Sequence, residues 1–154
     1  MRVRDRQPTR DPLAPLRLRP LAWQLVLVVG VEVLLARSYA AHVAEFHWAT
    51  HFLVGLTAAA LWDLGTLLVT DRPARWQLLP VLVFHLWAMW PDLAFRAGQP
   101  HEGWMDWLAL GHLSSHEVPG RDTTLLVVAL AASAWYALRL RGWLLRQEAS
   151  ARRP

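Results

Sequence analysis

Residues 46–70 read FHWATHFLVGLTAAALWDLGTLLVT. Asp63 is the one acidic residue in that stretch, and it holds no Arg. The hydrocarbon core of a bilayer is about 30 Å thick, and a helix needs about 20 predominantly apolar residues to cross it. Phe46 to Thr70 meets that length and is closed by Asp71-Arg72-Pro73, so it reads as a transmembrane helix.

Working outward, the same pattern recurs. Upstream, Leu21 to Ala36 is apolar apart from Gln24 and Glu32. A cleaved signal peptide would explain its Arg-rich approach, but the preceding arm is long and further apolar runs follow, so an uncleaved helix is expected. Downstream, Gln77 to Phe95 forms a third run, with Pro80 near its start and Pro91 near its end; Pro91 is expected to break or kink the helix near Trp90. Thr123 to Leu140 forms a fourth, with Asp122 or Thr123 as N-cap and the small-residue stretch Ala129 to Ala134 suited to close packing in lipid. Between the third and fourth runs, His101 to His116 has helical spacing but is too short and polar to span. It reads as a short interfacial or re-entrant helix.

The expected fold class is therefore all-α: a polytopic membrane protein with four transmembrane helices. Residues 1–19, with six Arg and three Pro, read as a disordered cytoplasmic arm. Residues 20–145 read as the membrane domain and 146–154 as a cytoplasmic tail.

Charge supplies the orientation. The chain has 154 residues, of which 55% are hydrophobic, and a formal net charge of +4. All 16 basic residues are Arg. Thirteen lie in the N-terminal arm, the Arg72–Arg75 loop and the tail, against three (Arg37, Arg96 and Arg121) beside the other two loops. The positive-inside rule then puts both termini in the cytoplasm, in the inner (plasma) membrane. Arginines gathered at the ends of apolar runs do not form a basic face for nucleic acid, so membrane lipid is the expected partner. The absence of Cys removes disulfides, iron–sulfur clusters and thiolate zinc sites.

The histidines are sorted by the same topology. All seven lie between positions 42 and 116: His42, His47, His51, His85, His101, His112 and His116. Six fall on or near the outer side. Two are His-x-x-x-His pairs, His47/His51 and His112/His116; residues four apart share a helix face, so each pair can offer two imidazoles to one ion. His85, Met89 and Asp92 share a face of the third helix. Imidazole and carboxylate without thiol suit Zn2+ or another divalent metal. Glu32 is balanced between packing and support of this pocket, and Asp63 is expected to hydrogen-bond another helix, because unpaired carboxyls are costly in the bilayer.

Three of these elements resemble a known family. Thr50-His51-Phe52-Leu53-Val54-Gly55, then Pro91-Asp92-Leu93, then a His–Ser–His cluster before the last helix, are similar to motifs of the bacterial inner-membrane proteins called membrane-bound metal-dependent hydrolases. The resemblance covers roughly residues 46–118. The family's Pro-Asp motif usually continues with a second Asp and a His; here it runs Pro-Asp-Leu-Ala-Phe. Its closing histidines are usually five apart; here Gly111-His112-Leu113-Ser114-Ser115-His116 spaces them four apart.

The resemblance implies a membrane-embedded, metal-dependent hydrolase acting at the outer face on an amphipathic, phospholipid-type substrate. His51, Asp92, His112 and His116 are the expected ligands, completed by His101 or His47. Asp106 or Glu117 is the expected general base or supporting carboxylate, and Arg96 and Arg121 read equally as phosphate contacts or as interfacial anchors. Two other readings stand beside it: a b-haem electron-transfer protein using His51 and His85, and a non-catalytic metal-binding or structural membrane protein.

Overall fold

The computed structural model describes residues 11, 13–40, 47–100 and 102–152. All regular structure among them is helical: a 3-10 turn at Ala14–Leu16, then α1 (Leu18–Ala40), α2 (His47–Thr70), α3 (Leu79–Arg96), α4 (Gly103–Leu108), α5 (His112–His116) and α6 (Arg121–Ala151). Three helices, α1, α2 and α6, are long and apolar enough to cross a membrane.

α2 is the central helix and packs along both α3 and α6. A helix that is apolar all round is covered by neighbouring helices or by lipid, and α2 shows both, leaving Trp62 and Val69 exposed. Small residues make that approach close, with Ala59 and Ala60 on α2 and Ala129 and Ala132 on α6 all buried. α1 lies more loosely against α2 and α3. Its outward side, with Leu25, Val26 and Leu34, and that of α6, with Val127, Leu130 and Leu138, expose large apolar side chains as lipid-facing surfaces do.

Side-chain pairings give the helix directions. Thr50 near the start of α2 donates to Asp122 at the start of α6, and Trp143 late in α6 donates to the Asp71 carbonyl just past α2. α2 and α6 therefore run parallel. Trp48 donates to Glu32, late in α1, so α1 runs antiparallel to α2. His51 meets Asp92 near the end of α3, which is antiparallel too. The α3–α6 connection, holding α4 and α5, thus starts and finishes at one end of the bundle.

Several boundaries differ from the expectations. α1 begins at Leu18 and the 3-10 turn precedes it, so the last residues of the segment read as a disordered arm are ordered; residues 1–10 and 12 lie outside the described set. α3 continues through Pro91 to Arg96 instead of breaking near Trp90. Pro91 is fully buried, and packing against neighbours holds the helix across the lost hydrogen bond. The single interfacial helix is two short ones. Leu110 (φ 57°) and Gly111 (φ 75°) adopt left-handed backbone between them, which no continuous right-handed helix tolerates. α6 starts at Arg121 with Gly120 (φ 62°) as its N-cap residue, not Asp122 or Thr123. It runs on to Ala151 beyond the apolar run, because Arg, Leu, Gln and Glu there are good helix formers with no need of lipid.

At the end of the bundle away from α4 and α5, polar side chains tie the helices. Gln24 is fully buried; its Nε2 donates to Pro20 O (2.8 Å) and its Oε1 accepts the Leu78 N–H (3.1 Å) at the start of α3. Tyr136 donates to Gln77. Asp63, also buried, makes no hydrogen bond among the described residues, contrary to expectation; its neighbour Tyr136 gives its hydroxyl proton to Gln77 instead.

Candidate metal centre

Three elements that are far apart in sequence supply one cluster. His51 sits in the second turn of α2, Asp92 directly after Pro91 on α3, and His112 and His116 open and close α5. One ligand atom from each of His51, His112 and His116 can be chosen so that all lie within 4.8 Å of one another. Donors around one zinc ion lie about 2.0–2.1 Å from it, so small side-chain adjustments suffice to bring three such atoms onto an ion.

The rings are ordered against each other. His51 and His112 stack with centroids 4.5 Å apart and planes 7° from parallel. The His116 ring lies 5.3 Å from His51 and 5.4 Å from His112, tilted by 60° to both. Asp92 spans the stacked pair: its Oδ2 is 3.1 Å from His51 Nε2 and its Oδ1 is 3.1 Å from His112 Nε2. Each imidazole nitrogen facing the carboxylate must carry a hydrogen to donate or share a metal ion with it, because facing lone pairs repel.

The backbone fixes the ring of His112. Its Nδ1 donates to the Ala88 carbonyl of α3 (2.9 Å), which directs Nε2 to the cluster. Burial pushes the His112 pKa down, but the hydrogen bond to Asp92, the Ala88 carbonyl and the charges of Asp92 and Asp106 outweigh it and raise the pKa above its ordinary value. His51 and His112 side chains are essentially inaccessible, whereas that of Asp92 is 14% exposed and His116 is half-buried, so the solvent-facing members of the cluster are Asp92 and His116.

α5 is too short to hold its shape alone and is tethered to α4. Asp106 accepts from the Ser114 N–H (2.9 Å) and from its hydroxyl (2.5 Å). Gly111, which takes the left-handed backbone that glycine adopts without steric cost, turns the chain into α5. The Thr50–Asp122 contact (3.1 Å) ties the start of α2, one residue before His51, to the start of α6.

Of the side chains expected at a metal, the structure thus brings together His51, Asp92, His112 and His116. His101 lies outside the described residues. His47 opens α2, and its side chain lies outside the described set, as does that of Arg96. Asp106 is engaged by Ser114, and Glu117 is exposed beyond the end of α5. Arg121 pairs with Asp122 at 3.3 Å.

His85 belongs to a second group. Its Nδ1 lies 2.9 Å and 2.8 Å from the two oxygens of Glu32, and Trp48 Nε1 donates to the same carboxylate at 3.2 Å. Trp48 and Phe52 pack edge-on to the His85 ring. His51 and His85, the pair weighed as haem ligands, are therefore each engaged by a different carboxylate. Met89, on the same α3 face, is a fully buried packing residue.

Sequence reasoning missed the Ala88 carbonyl, the Ser114 tether and the Thr50–Asp122 tie. Backbone acceptors leave no trace in side-chain patterns, and the last two join positions with no fixed spacing. Comparison with family models, curated proteins and solved structures returns no match, so the site is read from its own geometry.

Proposed function

We propose that this protein is a membrane-embedded, metal-dependent hydrolase in which His51, Asp92, His112 and His116 hold a divalent ion. The observation that carries the reading is the convergence of three imidazoles from α2 and α5, two of them bridged by Asp92. Nitrogen and carboxylate donors without thiol favour zinc.

Such an ion supplies Lewis acidity and lowers the pKa of water toward neutrality. The chain does the rest. The Ala88 carbonyl holds His112 in the tautomer whose Nε2 faces the site, and the Asp106–Ser114 bonds hold α5 in register. Asp92, the one anionic member, and the half-buried His116 are the sides from which water and substrate would enter.

In this reading α3, with 18 residues, is the fourth span, and the excess of Arg on the arm, the α2–α3 loop and the tail orients both termini to the cytoplasm. The cluster then opens to the outer face of the inner membrane. A substrate reached there is amphipathic, of the phospholipid ester or phosphodiester class. Trp104 and Trp107, exposed on α4, lie at that interface.

The test is metal content of the purified protein by mass spectrometry, beside hydrolysis of fluorogenic phospholipid esters and phosphodiesters. The expected result is about one ion per chain, lost together with hydrolysis in the His51→Ala, His116→Ala double variant. Wild type and variant equally free of metal would overturn the reading.

A further inference from the structure

The opposite end of the bundle carries a cleft of about 530 Å³, between the 3-10 turn, the start of α1 and the α2–α3 connection. Its walls include Asp11, Pro20, Trp23, Arg72, Arg75 and Trp76. Trp23 and Trp76 meet edge to face with centroids 5.5 Å apart, and the Arg75 guanidinium lies 4.6 Å over the Trp76 ring.

The charges are unequal. Asp11, the one acidic group in the lining, is neutralised: its Oδ2 pairs with Arg17 at 2.6 Å and its Oδ1 accepts the Leu13 N–H at 2.9 Å. The arginine ion pairs among the described residues involve Arg17, Arg121 and Arg146, which leaves Arg72 and Arg75 without a carboxylate. The cleft therefore offers two guanidinium groups above an apolar, aromatic floor at a membrane boundary.

We infer that this cleft binds the headgroup of an anionic phospholipid, with Arg72 and Arg75 on the phosphate and Trp23 and Trp76 against the glycerol and upper acyl region. Guanidinium forks match phosphate geometry, and indoles favour the headgroup level. Basic recesses at the end of a helix bundle are where anionic lipid is retained. The apolar floor distinguishes a lipid from free phosphate, which would gain nothing from it. The site needs only a membrane-spanning chain and is independent of the histidine cluster.

The full chain, purified in detergent, is titrated with dioleoylphosphatidylglycerol or dioleoylphosphatidylcholine, and the fraction carrying one lipid is read by native mass spectrometry. Wild type is expected to retain the anionic lipid at least about fivefold better, and Arg72→Gln or Arg75→Gln each to lower that retention about fivefold. Arg139→Gln and Arg141→Gln, outside the cleft, are expected to leave it unchanged. Equal retention of the two lipids by wild type would overturn the inference whatever the variants do. So would equal losses in the Arg139 and Arg141 variants, which would mean diffuse surface charge. Competition by soluble glycerol phosphate at the lipid's own concentration would mean a free-phosphate site and would overturn it as well.

Discussion

Gly55 and His85 touch backbone to backbone: a Cβ built on Gly55 would come within 2.6 Å of both the Cα and the N of His85. Here α2 and α3 are in direct backbone contact, and the same helices carry His51 and Asp92 to each other. Gly55→Ala must push the helices apart, because no flexible side chain can yield. We expect a loss of about 1–3 kcal/mol in stability, together with weaker metal retention. Gly65, also within α2, has nothing within 4 Å of its would-be Cβ. Gly65→Ala should stabilise by up to about 1 kcal/mol through helix propensity. Thermal unfolding in one detergent separates the two, and equal effects would refute the close-packing account.

The raised His112 pKa predicts different pH slopes for metal-free and zinc-loaded protein. Raised in the fold above its ordinary 6.5, it stabilises the metal-free protein fully below that value and less as pH rises through the folded value. Metal must displace that proton, so metal affinity rises with pH. Unfolding of chelator-treated and zinc-loaded protein between about pH 6 and about pH 8 should show metal-free stability falling while the zinc-induced gain grows. Parallel slopes would contradict the proton–metal competition.

Asp106 should behave as a positioning residue. Asp106→Ala removes both bonds to Ser114 and frees α5, and a loss of about 10–100-fold in metal affinity is expected, as for other outer supports of ligands. Glu117→Ala, at an exposed position, should leave affinity unchanged. If Asp106 acted instead as general base, turnover would fall while metal affinity held, and zinc titration beside hydrolysis rates distinguishes the outcomes.

The Glu32–His85 pair should display the asymmetry of buried polar partners. Glu32→Met leaves His85 Nδ1 and Trp48 Nε1 without their acceptor, at a cost of about 1–3 kcal/mol. Replacing both, as Glu32→Met with His85→Leu, removes the orphaned donor on His85 and should recover part of that loss. A double-mutant cycle on unfolding measures the coupling, and strict additivity would argue against it.

Much of this protein is decided by composition along the chain. Crossing a bilayer is a local requirement of length and polarity, which is why the long apolar helices α1, α2 and α6 can be read from residue order. The candidate ligands His51 and Asp92 were legible for a related reason, since polar groups are costly among apolar runs, whereas His112 and His116 were legible by their four-residue spacing. Only the tertiary structure decided which of them meet. His85 shares a helix face with Asp92 yet turns to Glu32, while His112 and His116 arrive from a separate five-residue helix positioned by Asp106, Gly111 and the Ala88 carbonyl. Those choices rest on contacts between distant residues and on backbone acceptors and left-handed turns. None of these has a periodic imprint on sequence, so they become determinate only when the helices pack.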